Sequence, residues 1–291
     1  MKDWKRLING LLKIINMNKV KFHYAYPLHI DIDTTKSVEV YIDCFNPDTI
    51  SKDSIRIVII EEALKSPFYN LMRNKWDLYT HLLTYQDEIL TENPKARLFH
   101  CINTWVKGYV SHKKFFDISF IVGGKKNPVM EGYELRHEVW RNKYKIITPK
   151  LFYVSGNTHH THTFVPWSEA SDSPLVLGNS KEPLFDSMFH ISIENTSIKN
   201  YFTEKLIDCF QTRTVPIYYG CKNVEEFFNI DGILVANDLK EIINISNQVT
   251  PTMYNRMIPA MEDNYNRSMA WVDHDDQIKT AVIEILKEEE L

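Results

Sequence analysis

The run Ile55-Arg56-Ile57-Val58-Ile59-Ile60 limits most strictly how this chain can fold. Five of its six residues are aliphatic and β-branched. A strand with one solvated face alternates apolar and polar residues. A strand without alternation is buried on both faces, as in parallel sheets covered by helices. Parallel neighbours need long crossovers, so strand-like and helix-like runs should alternate along the chain. They do. Val38 to Cys44, Trp76 to Thr84 and Ala96 to Cys101 read as further strands. Phe115 to Val122 is a strand closed by Gly123-Gly124, and Gly132 to Trp140 reads as a helix. Lys145 to Tyr153 is a strand region interrupted by Pro149, and the polar stretch 155–173 is a loop. Phe189 to Ile193, Val215 to Tyr219 and Ile233 to Ala236 are strands, Tyr201 to Phe210 is a helix, and Asp276 to Glu290 is a terminal helix. The expected class is α/β. With 291 residues the chain is comfortable for two domains. The expected division is an N-terminal lobe at 1–112 and a C-terminal lobe at 113–291 that includes the terminal helix.

Composition removes several function classes. The formal charge of -4, with basic residues clustered only in pairs such as Lys113-Lys114 and Lys125-Lys126, argues against nucleic acid as a partner. Cys44, Cys101, Cys209 and Cys221 show no metal spacing and read as reduced thiols. Cys209 falls on the apolar side of its helix, and Cys221 reads as more exposed. No apolar run approaches the ~18 residues of a membrane span, and the N-terminus lacks the pattern of a signal peptide. Trp4, Leu7, Ile8, Leu11, Leu12 and Ile15 form an amphipathic stripe with Lys2, Lys5, Arg6 and Lys13 elsewhere. Such a helix packs on its own domain or a partner subunit, or lies on a membrane surface. The expected location is cytoplasmic, with peripheral membrane contact as the alternative.

The densest chemistry lies in Phe189-His190-Ile191-Ser192-Ile193-Glu194-Asn195, a polar turn, and Tyr201-Phe202-Thr203-Glu204-Lys205. This is a strand, a loop and a helix start. Open α/β sheets bind ligands beyond the carboxyl ends of their strands. A helix N-terminus there offers unpaired N–H groups and a positive dipole end, a natural phosphate seat. Lys205 adds a cation, and Glu204 an acceptor suited to ribose hydroxyls. The same residues also make an ordinary helix start, and spacing alone does not separate the two readings.

The run from Phe189 to Gly220 resembles the donor-binding signature of the α-1,3/4-fucosyltransferases, glycosyltransferase family 10, the bacterial members above all. An aromatic strand, Glu-Asn, a polar loop, Tyr-x-Thr-Glu-Lys and a Pro-containing strand ending in Gly are its parts. Glu194-Asn195, Tyr201-Phe202-Thr203-Glu204-Lys205 and Val215-Pro216-Ile217-Tyr218-Tyr219-Gly220 supply them. A looser likeness continues through Asn223-Val224 and Phe227-Phe228-Asn229, while the N-terminal lobe matches weakly. The resemblance implies an α/β GT-B fold, two Rossmann-like lobes facing a central cleft. It implies inverting transfer of fucose from GDP-fucose to a glycan hydroxyl, with no cofactor beyond the GDP-sugar donor substrate. Carried over by position, Glu194, Asn195, Tyr201, Thr203, Glu204 and Lys205 form the donor-binding set. Asn195, Tyr201, Glu204 and Lys205 touch the nucleotide, and Arg136 takes the place of a phosphate-binding arginine. The membrane anchor and stem of the Golgi members have no counterpart here, so a free-standing catalytic unit is expected. The rival readings are a related GT-B transferase using another nucleotide sugar, and a non-catalytic glycan- or nucleotide-sugar-binding protein. Retention of Glu61, Glu62, Arg136 and Lys205 speaks against the last.

An inverting transfer needs a base near the acceptor hydroxyl. Glu61 and Glu62 follow the buried strand Ile55–Ile60 and are the candidates, Glu61 first because it lies nearer the strand end. Two carboxylates at a strand end also make a solvated turn. The His159-His160-Thr161-His162 cluster lacks the carboxylate or cysteine that would complete a zinc spacing, so it reads as a polar loop and no metal site is expected. Asp31-Ile32-Asp33 precedes any nucleotide-binding context and reads as a turn, and Asp273-His274-Asp275-Asp276 as the start of the terminal helix.

Overall fold

The computed structural model describes residues 18–24, 26–44, 53–61, 75–109, 113–155, 175–178 and 180–290. The readings of the N-terminal amphipathic stripe, of Glu62 and of His159-His160-Thr161-His162 lie outside these residues. The chain forms two compact units, Met1–Cys101 with His274–Leu291, and Ile102–Asp273.

In the first unit the strands are β1 (Asn18–Lys19), β2 (Lys21–His23), β3 (Asp33–Thr34), β4 (Val38–Ile42), β5 (Ile55–Ile60), β6 (His81–Thr84) and β7 (Ala96–Leu98). The short helix α1 (Asp87–Glu92) joins the last two. β2, β4, β5, β6 and β7 lie side by side in that order, every pair parallel. β5 is the middle strand, and Ile57 to Ile60 are at most 2% exposed, as its unbroken aliphatic run requires. Asp33 does not sit in a turn but pairs with Lys19 across the antiparallel β1–β3 ladder. Lys19 bridges both Asp31 and Asp33 on the surface, so their proximity reflects local charge pairing. The segment Trp76–Leu78 is a 3-10 turn, and the strand begins only at His81.

The second unit holds β8 (Phe116–Val122), α2 (Glu131–Arg141), β9 (Lys150–Ser155), β10 (Leu175–Leu177), β11 (Ser187–Ile193), α3 (Glu204–Gln211), β12 (Val215–Tyr219), β13 (Leu234–Val235), α4 (Leu239–Ser246) and α5 (Pro251–Ser268). Its six strands run in the order β10-β9-β8-β11-β12-β13, again all parallel. β9 begins just after Pro149, which has no N–H to give a ladder, although its carbonyl accepts from Ile118 N at 3.2 Å. The sequence reading omits α5. Thr250 caps that helix and Pro251 opens it, both ordinary start signals, but Pro259 inside it reads as a breaker. Cys209 is fully buried, and Cys221, expected to be more exposed, is 5% exposed.

The observed units differ from the division at 112 in two places. Ile102 packs into the core of the second unit, and Trp105 N donates to Asp208 Oδ1 of α3 at 3.0 Å, so the chain has left the first unit by then. The terminal helix, His274–Glu288, belongs to the first unit. Ile278, Val282 and Ile285 recur at helical spacing and pack into the core with Val38, Val40, Ile57, Ile59 and Leu83. Arg97 adds a two-armed contact to Glu288, 2.9 and 2.6 Å. Among the described residues no helix is long and apolar enough to cross a membrane.

Burial of the terminal helix should dominate its attachment. Ile278→Ala is expected to cost about 2–5 kcal/mol, because Ile278 is fully buried among aliphatic neighbours. Arg97→Ala, on the surface, should barely move the transition. Urea unfolding of the two variants beside the parent checks this.

Candidate active site

In the second unit the resemblance-derived residues gather at the carboxyl end of β11. Glu194 is the first residue past the strand and has no solvent exposure. Its backbone N continues the ladder to Tyr219 O at 2.8 Å. Its carboxylate accepts from Thr203 N at 2.8 Å and from Thr203 Oγ1 at 2.7 Å. Thr203 is the N-cap of α3, so Glu194 fastens the helix start to the strand end from below. Burial raises the Glu194 carboxyl pKa, and the nearby Lys205 ammonium opposes that rise. The helix starts at Glu204, not at Tyr201. Tyr201 and Phe202 lead into it as buried anchors, 5% and 3% exposed.

The loop between Asn195 and Tyr201 is shaped by polar contacts. Asn200 adopts φ 61, a left-handed conformation that asparagine tolerates. It exchanges hydrogen bonds with Asn223, N to Oδ1 at 2.7 Å and Nδ2 to Oδ1 at 2.9 Å. Glu131, at the start of α2, accepts from Thr196 Oγ1 and Ser197 N. Gly132 follows, and its N donates to Asn195 O at 3.0 Å. A Cβ there would lie 1.8 Å from Glu194 O, so glycine is what lets α2 approach the strand end.

That approach delivers Arg136. Its guanidinium donates to Ile193 O at 2.6 Å and to Asn195 Oδ1 at 3.0 Å, and it stacks over the Tyr133 ring at 4.5 Å. Lys205 Nζ lies 3.2 Å from Glu204 Oε1, 3.7 Å from Glu194 Oε2 and 3.1 Å from Thr203 Oγ1. Lys181, which the motif does not contain, sits 3.9 Å from Glu204 and 4.0 Å above the Trp105 ring. The side chains of Lys205, Glu204 and Lys181 remain 25%, 21% and 24% exposed. Burial works against the Glu204 charge, but the Lys205 and Lys181 ammonium groups hold its pKa down at about 2. Burial likewise works against Lys205, and Glu204 and Glu194 keep it above its ordinary value. Three cations and an acceptor thus surround the N-terminus of a helix, an arrangement suited to a sugar-linked diphosphate. No motif signals Lys181 or Trp105, because they reach the site from segments of chain outside it.

A second cluster forms in the first unit, where Glu61 follows β5. Glu61 N donates to Asp43 Oδ1 at 3.0 Å. Asp43 follows β4 in a left-handed conformation, φ 43. Tyr24 OH, just past β2, donates to Glu61 Oε2 at 3.1 Å, and His274 Nε2 lies 2.9 Å from Oε1. Asp275 Oδ1 is 3.2 Å from the other ring nitrogen of His274. Burial opposes charge on His274, and Glu61, then Asp275, outweigh it, so its pKa is raised. Burial pushes the Tyr24 hydroxyl and the Cys101 thiol up, and the Glu61 charge adds to both. Glu61, Cys101 and His274 bring oxygen, sulfur and nitrogen atoms within 4.8 Å of one another, a donor set of the kind divalent metals take. Both ring nitrogens of His274 already face carboxylates, however, which leaves a protonated ring no lone pair to offer a metal. Sequence reasoning finds Glu61 through its strand-end place and misses His274, 213 residues away.

Asp208 gives a pH test of this geometry. It is 1% exposed, and burial lifts its pKa to about 7 despite the opposing charge of Lys181. The folded state then keeps a proton that the unfolded chain loses near 3.8. Its contribution is therefore fully present below about pH 4 and lost as pH rises towards 7. Asp208→Asn, which keeps an acceptor for Trp105 N, should match the parent in stability at pH 4 and exceed it at pH 8. Melting temperatures across that range read the difference.

A family model described as "Glycosyltransferase family 10 (fucosyltransferase) C-term" matches residues 167–288. An α-(1,3)-fucosyltransferase, FucT, of Helicobacter pylori is 37% identical over 62 residues, 21% of this chain and 13% of that protein. An α-(1,4)-fucosyltransferase of Arabidopsis thaliana is 46% identical over 39 residues, 13% of this chain and 10% of that protein. The matched stretches thus span about an eighth and a tenth of the two relatives' lengths. Among solved structures, an α1,3-fucosyltransferase crystallised with GDP-fucose aligns over 85% of this chain and 77% of its own. The TM-score is 0.51 at 15% identity, a likeness of fold consistent with the two parallel α/β units of the GT-B class. Residues 167–288 therefore match the model of the family whose signature the run Phe189–Gly220 resembles.

Proposed function

We propose that this protein is an inverting glycosyltransferase that moves fucose from GDP-fucose to a hydroxyl of a glycan acceptor. The observation that carries the reading is the seat at the carboxyl end of β11. There Arg136 meets Lys205 and the N-terminus of α3 beside Asn195, Tyr201 and Glu204, all of them except Arg136 within the segment that matches the family model. As the bond between the anomeric carbon and the diphosphate breaks, negative charge grows on the departing oxygen. Lys205, Arg136 and the helix N-terminus offset that charge, and the positions are fixed before the reaction starts. Glu204 accepts from ribose hydroxyls. Thr203 and Glu194 hold the seat in shape from within rather than touching the donor.

Glu61 is the base in this reading. Its carboxylate takes the proton from the acceptor hydroxyl as that oxygen bonds to the anomeric carbon. GDP leaves from the opposite face, and the configuration inverts. The seat neutralises the leaving group with protein cations, so the reaction as drawn asks for no cofactor. GDP-fucose is the donor substrate.

The donor is tested by thermal shift. GDP should raise the melting temperature, and UDP at the same concentration should not. Equal or larger stabilisation by UDP would remove fucose transfer and leave a transferase with another donor. The chemistry is tested by release of GDP from GDP-fucose over a panel of glycan acceptors. One charge-assisted contact is worth about 1.5–3 kcal/mol, so Lys205→Ala should lose roughly ten- to a hundredfold in turnover. Glu204→Ala should chiefly weaken donor binding, because a ribose contact changes little between ground and transition states. A folded Lys205→Ala with the parent's turnover would defeat the assignment, and stable variants without kinetic change would mark an ordinary helix start.

A further inference from the structure

We infer that His274, carried by the first turn of the terminal helix, is the positioning residue that holds Glu61 ready to accept the acceptor's proton. This rests on the reading of Glu61 as the base. His274 reaches Glu61 from 213 residues away, with Nε2 2.9 Å from Oε1. Its other ring nitrogen is 3.2 Å from Asp275 Oδ1. Asp275 is itself fixed, since Oδ2 accepts from His29 N at 2.8 Å. The Tyr24 ring lies against the imidazole, centroids 5.8 Å apart and planes 17° from parallel. Its hydroxyl holds the second Glu61 oxygen at 3.1 Å.

The roles within the cluster follow from counting lone pairs. With a carboxylate before each ring nitrogen, the protonated ring of His274 donates from both and in that form has no acceptor with which to take a proton from substrate. A carboxylate has about four acceptor positions. His274 and Tyr24 occupy one on each Glu61 oxygen and the Cys101 thiol takes a third, so one position is left, and the side chain is 17% exposed. Glu61 therefore retains the capacity to accept a proton, while its rotation is stopped from two sides. A base held this way need not pay ordering entropy at the moment of reaction, and misplacement by about 1 Å can cost a hundredfold. His274 is in turn placed by the burial of Ile278, Val282 and Ile285 further along its helix.

The test is a double-mutant cycle on Glu61 and His274. Turnover is read as GDP released from GDP-fucose, with water or the fastest acceptor of the panel as nucleophile. His274→Ala should lower kcat about ten- to a hundredfold. KM for the donor should stay within about twofold, and circular dichroism should remain native. His274→Gln, which can still donate an N–H to Glu61, should recover part of the loss, a rescue that a purely structural role would not predict. In a Glu61→Gln background His274→Ala should add less than a further twofold, because there is no longer a base to position. A parent-like kcat in His274→Ala, or its full loss repeated in the Glu61→Gln background, would overturn the positioning role while leaving Glu61 as base. A parent-like kcat in Glu61→Gln would instead overturn the base itself and the positioning role with it. If His274→Ala does not fold, His274→Gln and Asp275→Asn carry the same comparison, each expected between parent and Glu61→Gln in kcat.

Discussion

The Glu194 carboxylate, sealed beneath the start of α3, is the contact on which the geometry of the second unit's site depends. One oxygen takes a backbone N–H and the other a hydroxyl, both from Thr203. The end of β11 and the beginning of α3 are thereby tied across the intervening loop. The tie uses a charge where a charge is costly, and Thr203 and Lys205 meet that cost. Everything at the seat is referenced to this point. Gly132 packs against the Glu194 carbonyl, which sets α2, and α2 sets Arg136 against the carbonyl of Ile193. Arg136 is thus held by the Ile193 carbonyl and Asn195, and Lys205 by Glu204, Glu194 and Thr203.

The first unit solves a related problem with different parts. Tyr24, Asp43 and Glu61 follow β2, β4 and β5, neighbours in a parallel sheet whose carboxyl ends share one edge. The remaining members come from the other end of the chain, on a helix whose apolar stripe completes the core under that sheet. Packing and chemistry are coupled here: the hydrophobic residues that attach the terminal helix also determine where His274 stands. A single buried isoleucine in that helix therefore belongs to the stability of the unit and to the arrangement of its polar edge.

Much of the fold was legible because burial on both faces leaves a strong mark. β5 and β12 run as read, and β4, β8 and β11 differ by a residue or two at their ends. What escaped was local structure whose signals conflict. Pro259 hid α5 although Thr250 and Pro251 announce its start, and Trp76–Leu78 turns before β6 instead of extending it. At the site, the residues close together in sequence were found through their motif. Of these, Asn195, Glu204 and Lys205 line the open seat, while Glu194 and Thr203 lie within it as its fastening.

The sequence by itself determined the α/β class, the strand–loop–helix that carries the Phe189–Gly220 motif, and Glu61 as a carboxylate at a strand end. Each of these depends on neighbours along the chain, through the periodicity of burial and the chemistry of a helix start. The tertiary structure decided the rest. It assigned the terminal helix to the first unit, brought Lys181 and Trp105 to the seat, and set His274 and Asp275 against Glu61. These contacts are decided by which apolar faces cover which sheet, and the chain lengths between the partners leave no periodic trace. A histidine in an acidic run reads as a helix start until the packing of Ile278, Val282 and Ile285 shows where that start must lie.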